Sequence, residues 1–185
     1  PGLLIVGLAP GMHGANASGR PFTGDHAGIL LYRTLHKYGF ASAPESVSAR
    51  DGLQLVDCRI TNAVKCLPPQ NKPVGAEINR CRSFLAFELK SVRAGGVVLT
   101  LGSIAHKSVV AAFGMRQKDA VFGHAAEHAM PGGVTLIDSY HCSRYNTQTR
   151  RLTVPMFEQV FARARYLVDE LGTARLVRGL RESTS

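Results

Sequence analysis

The sequence predicts an α/β fold: a three-layer α/β/α sandwich around a central four-stranded, mostly parallel sheet. Three observations predict it. Four short runs, residues 3–8, 57–66, 97–101 and 134–138, are apolar or β-branched over most of their length. Such runs suit strands covered on both faces. Segments with helical spacing separate them, the alternation of a parallel sheet flanked by helices. Three of the runs end in polar clusters, and strand ends are where parallel sheets bind ligands.

The first strand, residues 3–8, closes on Ala9-Pro10-Gly11 and opens a polar, Gly-rich loop. That loop carries His13, Asn16, Arg20, Phe22 and Thr23 and extends to Gly24. Leu31, Leu35 and Tyr38 then recur at helical spacing across residues 25–38, and Gly39 suits the position after a helix end. Residues 40–55, with Pro44 and several Ser, read as irregular. The second strand, residues 57–66, stops before Pro68-Pro69. A helix over about 75–92 follows, with Ile78, Cys81, Leu85, Leu89 and Val92 on one stripe. After the third strand, Gly102 leads into a helix expected to bury Ile104, Val109 and Phe113. Residues 115–133 read as a loop or a poor hairpin. The fourth strand runs directly into Ser139-Tyr140-His141-Cys142-Ser143-Arg144, and Pro155 can start a last helix reaching about Leu171.

At 185 residues the chain suits one well-buried domain. We assign residues 1–171 to it and residues 172–185, with Arg175, Arg178 and Arg181, to a basic tail that is helical or frayed. Twenty-two Lys and Arg against 13 Asp and Glu give a net charge of +9. That excess favours a polyanionic partner, nucleic acid first, over a merely basic soluble protein. No apolar run approaches the roughly 18 residues of a membrane span. Residues 2–7 lack the basic flank of a signal peptide. Four Cys without secretory signs point to reduced thiols or metal ligands. A cytoplasmic monomer is expected, with a natural start upstream of Pro1.

Four blocks at or after strand ends carry a resemblance. They are Gly7-Leu8-Ala9-Pro10-Gly11-Met12-His13-Gly14-Ala15-Asn16, Gly19-Arg20-Pro21-Phe22-Thr23-Gly24-Asp25, residues 62–73, and His141-Cys142-Ser143-Arg144-Tyr145-Asn146-Thr147. Together they resemble the uracil-DNA glycosylase superfamily, from the first strand to about Thr153. The apolar Leu8, where family 4 carries an acid, makes the chain most similar to family 5. The resemblance implies hydrolysis of the N-glycosidic bond of uracil, and of other deaminated bases, in DNA. Such an enzyme flips its target into a pocket and needs a polar reader, a stacking surface and basic phosphate contacts.

Residue by residue, the resemblance makes Asn62 the base reader. An amide can accept from uracil N3–H while donating to O4, and cytosine reverses both groups. An Asn near a strand end otherwise forms turns. Phe22 matches the aromatic under the flipped base, against the usual fate of a lone Phe in a core. His141 matches the family histidine, a donor able to stabilise charge on the leaving base. Asp25 is the acid in the matched loops, suited to activating water or stabilising an oxocarbenium-like sugar. Its position also suits a helix N-cap. Gly7, Gly11, His13 and Asn16 fall in the base-binding loop. Ser143, Arg144 and Asn146 fall in the segment that meets DNA, with a solvated loop as the competing reading. Lys65 and Lys72 are weaker phosphate-contact candidates, and the other histidines (His26, His36, His106, His124, His128) read as surface or packing residues.

Families 4 and 5 hold a [4Fe–4S] cluster on four cysteines. Cys66 and Cys81 match the second pair, and the first pair lies upstream of the first strand in the family. Buried apolar packing is the alternative for both. Cys142 stands where the family has proline and Arg150 where it usually has glycine, both in the DNA-contacting block. Two readings of other classes remain at this point. One is a non-catalytic nucleic-acid-binding module with a degenerate site. The other is a phosphate-cradling nucleotide binder, disfavoured because no G-x-x-x-x-G-K-[ST] is present.

Overall fold

The computed structural model describes residues 1–10, 19–65 and 75–182, with side chains to residue 170. Five strands and five α-helices follow one another in that span. They are β1 (Leu3–Gly7), α1 (His26–Lys37), β2 (Cys58–Asn62), α2 (Gly75–Leu89), β3 (Val97–Leu101), α3 (Ser103–Ala112), β4 (Glu127–Met130), β5 (Val134–Ser139), α4 (Arg144–Gln148) and α5 (Val154–Glu182). The sheet order is β2-β1-β3-β5-β4. β2, β1, β3 and β5 are mutually parallel, and β4 is an antiparallel edge strand on β5.

β1 is buried at every position because its alternate side chains enter two different cores. Leu3 and Ile5 pack with Leu31 and Leu35 of α1 and Phe157 and Phe161 of α5. Leu4 and Val6 face the other way, toward Leu85 and Leu89 of α2 and Val109 and Val110 of α3. Each such side chain contributes roughly 1.5–3 kcal/mol by leaving water, so the strand is fixed from both sides. The expected three-layer fold is present. Its sheet has five strands rather than four, because the segment read as a loop or poor hairpin contributes β4.

The connections place the site. The chain leaves β1 in one direction to reach β2 and returns past β1 to reach β3. That reversal opens a crevice beyond the carboxyl ends of the strands. Gly7 pairs with Asn62 across the β1–β2 ladder at that edge, and Leu101 pairs with Ser139 on the far side.

Some local expectations change. Ile104 of α3 is exposed and Phe113 only partly buried, so Ala105, Val109 and Val110 carry that helix's contact with the sheet. Ile78 is half-buried while Cys81, Leu85 and Leu89 hold the α2 stripe, and Val92 is buried just past the helix, which ends at Leu89 rather than near residue 92. The tail expected from residue 172 continues α5 as helix to Glu182.

Candidate active site

Gly7, Asn62 and Phe22 meet where the site must begin. A Cβ on Gly7 would lie 2.5 Å from Asn62 Oδ1 and 2.6 Å from Phe22 Cζ. The Asn62 amide and the Phe22 ring can both lie this close to residue 7 only because it has no side chain. Asn62 ends β2 and is 7% exposed, and its Oδ1 is buried with no hydrogen-bond partner among the described residues. Unpaired buried acceptors are rare enough to need an explanation. His141 is the second residue past β5, with its ring centroid 6.3 Å from that of Phe22 at 38°. Burial pushes the His141 pKa below its ordinary value, so a neutral imidazole faces the ring.

Phe22 is held by an array of polar contacts. Its φ is +65°, a left-handed conformation that costs an aromatic residue about 1–2 kcal/mol. Such strain persists where the surroundings over-determine it. The Phe22 carbonyl accepts from Asp25 N–H at 3.3 Å, and a Cβ on Gly28 would come within 1.9 Å of that carbonyl oxygen. Tyr32 Oη donates to the Pro21 carbonyl at 2.7 Å, and the Thr23 and Ser46 hydroxyls lie 2.6 Å apart. Arg20 Nη1 donates to Asp51 Oδ1 at 2.7 Å and Ser46 Oγ at 2.9 Å. Asp51 in turn accepts from the backbone N–H of Val47, Ser48 and Leu53. The Arg20 guanidinium and those N–H groups hold its carboxyl well below the usual carboxylate range. Sequence reasoning missed this clamp; its one signal was an arginine two residues before Phe22.

Asp25 occupies the N-cap position of α1 with extended backbone, yet its side chain makes no capping hydrogen bond. It lines a cavity of about 570 Å³ together with Phe22, His26, Ile29, Ser46 and Arg144. A second cavity of about 260 Å³ is lined by His141 with Leu8, Ser103, Phe122, Tyr140 and Arg151.

The segment after His141 divides its labour. Ser143 caps α4, its hydroxyl accepting from Asn146 N–H at 3.3 Å, and Asn146 Nδ2 donates to the His141 carbonyl at 2.8 Å. These two side chains order the turn beside His141. Arg144 and Arg150 are exposed and form no ion pair among the described residues. Lys65 does not join them. Its ammonium is paired with Glu88 and donates to Thr61 Oγ1 at 2.6 Å, an arrangement that a glutamate 23 residues away imposes. Gly11, His13, Asn16, Lys72 and Cys66 lie outside the described residues.

Three thiols are described and all are free and buried. Burial pushes Cys58 and Cys142 up to about 12, so both are neutral packing groups, and Cys142 Sγ–H points at the Ala27 carbonyl at 3.5 Å. Cys81 differs. Its sulfur accepts from Lys65 N–H at 3.4 Å, one residue before Cys66 in the chain. Among the described residues one trio of His, Cys and acidic groups is close enough to share an ion: His106, His128 and Asp138. Both His106 nitrogens already face oxygens, Asp138 Oδ1 at 2.7 Å and the Ala120 carbonyl at 2.8 Å. A proton on each nitrogen satisfies the ring. His106, grouped in the sequence with surface or packing residues, is buried and hydrogen-bonded at both ring nitrogens.

With these strand ends in place, comparison with known proteins is decisive. The family model of the Uracil DNA glycosylase superfamily matches residues 1–165. The chain belongs to that superfamily. It is 46% identical over 165 residues to the type-5 uracil-DNA glycosylase of Thermus thermophilus, covering 89% of this chain and 75% of that one. The type-5 uracil-DNA glycosylase of Pyrobaculum aerophilum is 41% identical over 162 residues, 88% of this chain and 70% of that one. That of Mycobacterium leprae is 41% identical over 169 residues, 90% and 74%. Superfamily membership and the family-5 resemblance read from the sequence agree. No helix among the described residues is long and apolar enough to cross a membrane.

Proposed function

We propose that this protein is a DNA glycosylase that hydrolyses the N-glycosidic bond of uracil in DNA. The observation that carries the reading is the buried Oδ1 of Asn62, which has no partner among the described residues and shares the space over Gly7 with the Phe22 ring. Leaving such an acceptor unmet costs about 1–3 kcal/mol, and a flipped uracil supplies the N3–H it lacks. The Asn62 amide nitrogen then faces O4. Cytosine, with an acceptor at N3 and donors at C4, is rejected by the same amide, and rejection through unpaired groups is the stronger kind of selectivity.

Chemistry follows from the charges each group meets. As the C1′–N1 bond breaks, its electron pair moves onto uracil and spreads to O2. His141, neutral and therefore keeping one N–H, donates to that oxygen. The sugar becomes oxocarbenium-like, and the Asp25 carboxylate stabilises it and takes the proton of the water that adds to C1′. Phe22 stacks on the base, Gly7 leaves room for it, and Gly11, His13 and Asn16 complete the base-binding loop. Arg144, with Ser143 and Asn146 shaping its turn, contacts the phosphates.

Cys66 and Cys81 are assigned two corners of a [4Fe–4S] cluster. The Lys65-to-Cys81 hydrogen bond supports this, since it brings Lys65, the residue before Cys66 in the chain, to the Cys81 sulfur. Cys58 and Cys142 are buried in the core with α1 and α5 and are not assigned to the cluster. Iron and acid-labile sulfide in the purified protein are the expected result; iron-free protein ends the assignment. Residues 1–171 as the catalytic unit, residues 172–185 as a basic tail, and a monomeric state complete the reading.

A duplex with a single uracil, treated with alkali after incubation, tests the function. Strand scission is expected with uracil, and hypoxanthine or xanthine duplexes measure how far the range extends. Asp25→Ala is expected to slow excision by about 10²-fold or more, the scale of a lost general base, while duplex affinity stays close to the parent. Equal loss of cleavage and binding would remove Asp25 from the catalytic set. No scission with any of the three bases would leave a binding module.

A further inference from the structure

We propose that His124 is a positioning residue for His141, supplying through its side chain the hydrogen-bond acceptor that the sheet edge no longer offers. The inference rests on the role of His141 proposed above and on the way the β4–β5 ladder ends. β4 pairs with β5 so that Met130 faces Val134 and Glu127 faces Ile137. Carried forward, that register sets Ala126 against Asp138 and His124 against Tyr140. The ladder breaks between them. Asp138 N–H donates to the Ala126 carbonyl at 3.0 Å, but the Asp138 carbonyl accepts from Ala125 N–H at 2.8 Å. Ala126 N–H turns back to the Gly123 carbonyl at 3.0 Å. Two residues thus face one, a β-bulge, with Ala125 at φ +62°.

Beyond the bulge the edge chain bends away. Tyr140 N–H points to the same side as Asp138 N–H, since strand groups alternate, and it finds no β4 carbonyl. It donates instead to His124 Nδ1 at 3.2 Å. The two rings stack, with centroids 5.0 Å apart and planes 26° from parallel, and the Arg151 guanidinium lies 4.9 Å from the Tyr140 centroid. The next residue is His141. Its peptide is held on one side by His124 through Tyr140 and on the other by Asn146 Nδ2 on the His141 carbonyl.

Two further features fit a device for aiming His124. An alanine in the left-handed region is strained, and strain of this kind collects where geometry matters. His106 also pins the start of the same loop through the Ala120 carbonyl. The acceptor requires an unprotonated Nδ1. Burial pushes the His124 pKa down, against the opposing pull of the Met156 backbone.

The experiment uses two substitutions. His124→Phe keeps a stacking ring and loses the acceptor. His124→Asn places Oδ1 on the same Cγ that carries Nδ1 and restores it. Single-turnover uracil excision, affinity for an undamaged duplex, and amide exchange of Tyr140 are compared with the parent. His124→Phe is expected to lower the excision rate about 10- to 100-fold, the scale of a misaimed catalytic group. Its DNA affinity should be unchanged and its Tyr140 amide should exchange at least about tenfold faster, as for an opened hydrogen bond. His124→Asn is expected to recover most of both losses. A Phe variant with parental excision, a Tyr140 amide that stays protected in it, or an Asn variant no better than Phe overturns the proposal. A parent protein that releases no uracil overturns the glycosylase reading instead, while the Tyr140 amide still reports on the hydrogen bond.

Discussion

Asn62 shows what one residue can hold in reserve. Its carboxamide oxygen is buried at a standing cost, and the glycine beside it is fixed by the same contact. Asn62 was legible only through its match to the family's base reader, since by itself an Asn near a strand end more often forms a turn. Sequence alone could not show why Arg150 departs from the family pattern. Arg150 lies just past the α4 C-terminus with φ +57°, and its N–H donates to the Thr147 carbonyl at 3.3 Å. This is the left-handed position after a helix, where glycine is favoured. Arg150→Gly is therefore expected to raise the unfolding free energy by about 1 kcal/mol, the strain of a non-glycine residue there. Urea denaturation would measure the gain, and a salt titration of duplex affinity would show whether one phosphate contact was lost with it. An unchanged or lower midpoint would mean that the arginine side chain repays its own strain.

Among the elements, those whose covered face leaves a period in the sequence were legible. β1, β3 and β5 read as apolar runs, and α1 and α2 as stripes with Gly or Pro near their ends. β4 left no such trace because, at an edge, only Met130 of its four residues is buried. Residues 40–55 were illegible for another reason. Their order comes from Asp51 gathering three backbone N–H groups and Arg20, contacts with no sequence period. The consequence is a prediction about Phe22, 29 positions away. Asp51→Ala should release Arg20 and loosen the Phe22 platform, lowering uracil excision by about tenfold or more through misalignment. Fluorescence quenching of 2-aminopurine next to the uracil would report the weakened stacking. Parental excision in that variant would show that α1 alone holds the ring.

For the molecule as a whole, pH acts on three histidines in opposite senses. Burial pushes His106 down, but the Asp138 carboxylate and the Ala120 carbonyl outweigh it and raise its pKa above 6.5. A raised cationic group adds stability below its unfolded value near 6.5, and that contribution is lost as pH climbs through the folded value. His124 and His141 are depressed, chiefly by burial, so their contributions are present above 6.5 and vanish as pH falls through lower folded values. The groups facing His106 are Asp138, which also binds Thr100 Oγ1 and His128 Nε2, and Lys107, whose charge opposes protonation. The buried thiols at about 12 do not titrate in this range. An alkaline decline in the urea midpoint above pH 6.5 is thus assigned to His106. His106→Asn should be less stable at pH 6.5 yet nearly flat above it. Its excision should still fall in acid, because that limb belongs to His141 and His124. A variant that kept the parental alkaline slope would place the titrating group elsewhere. Loss of the acid limb in the same variant would mean that the ion pair at Asp138, three residues before His141, sets the protonation of the site.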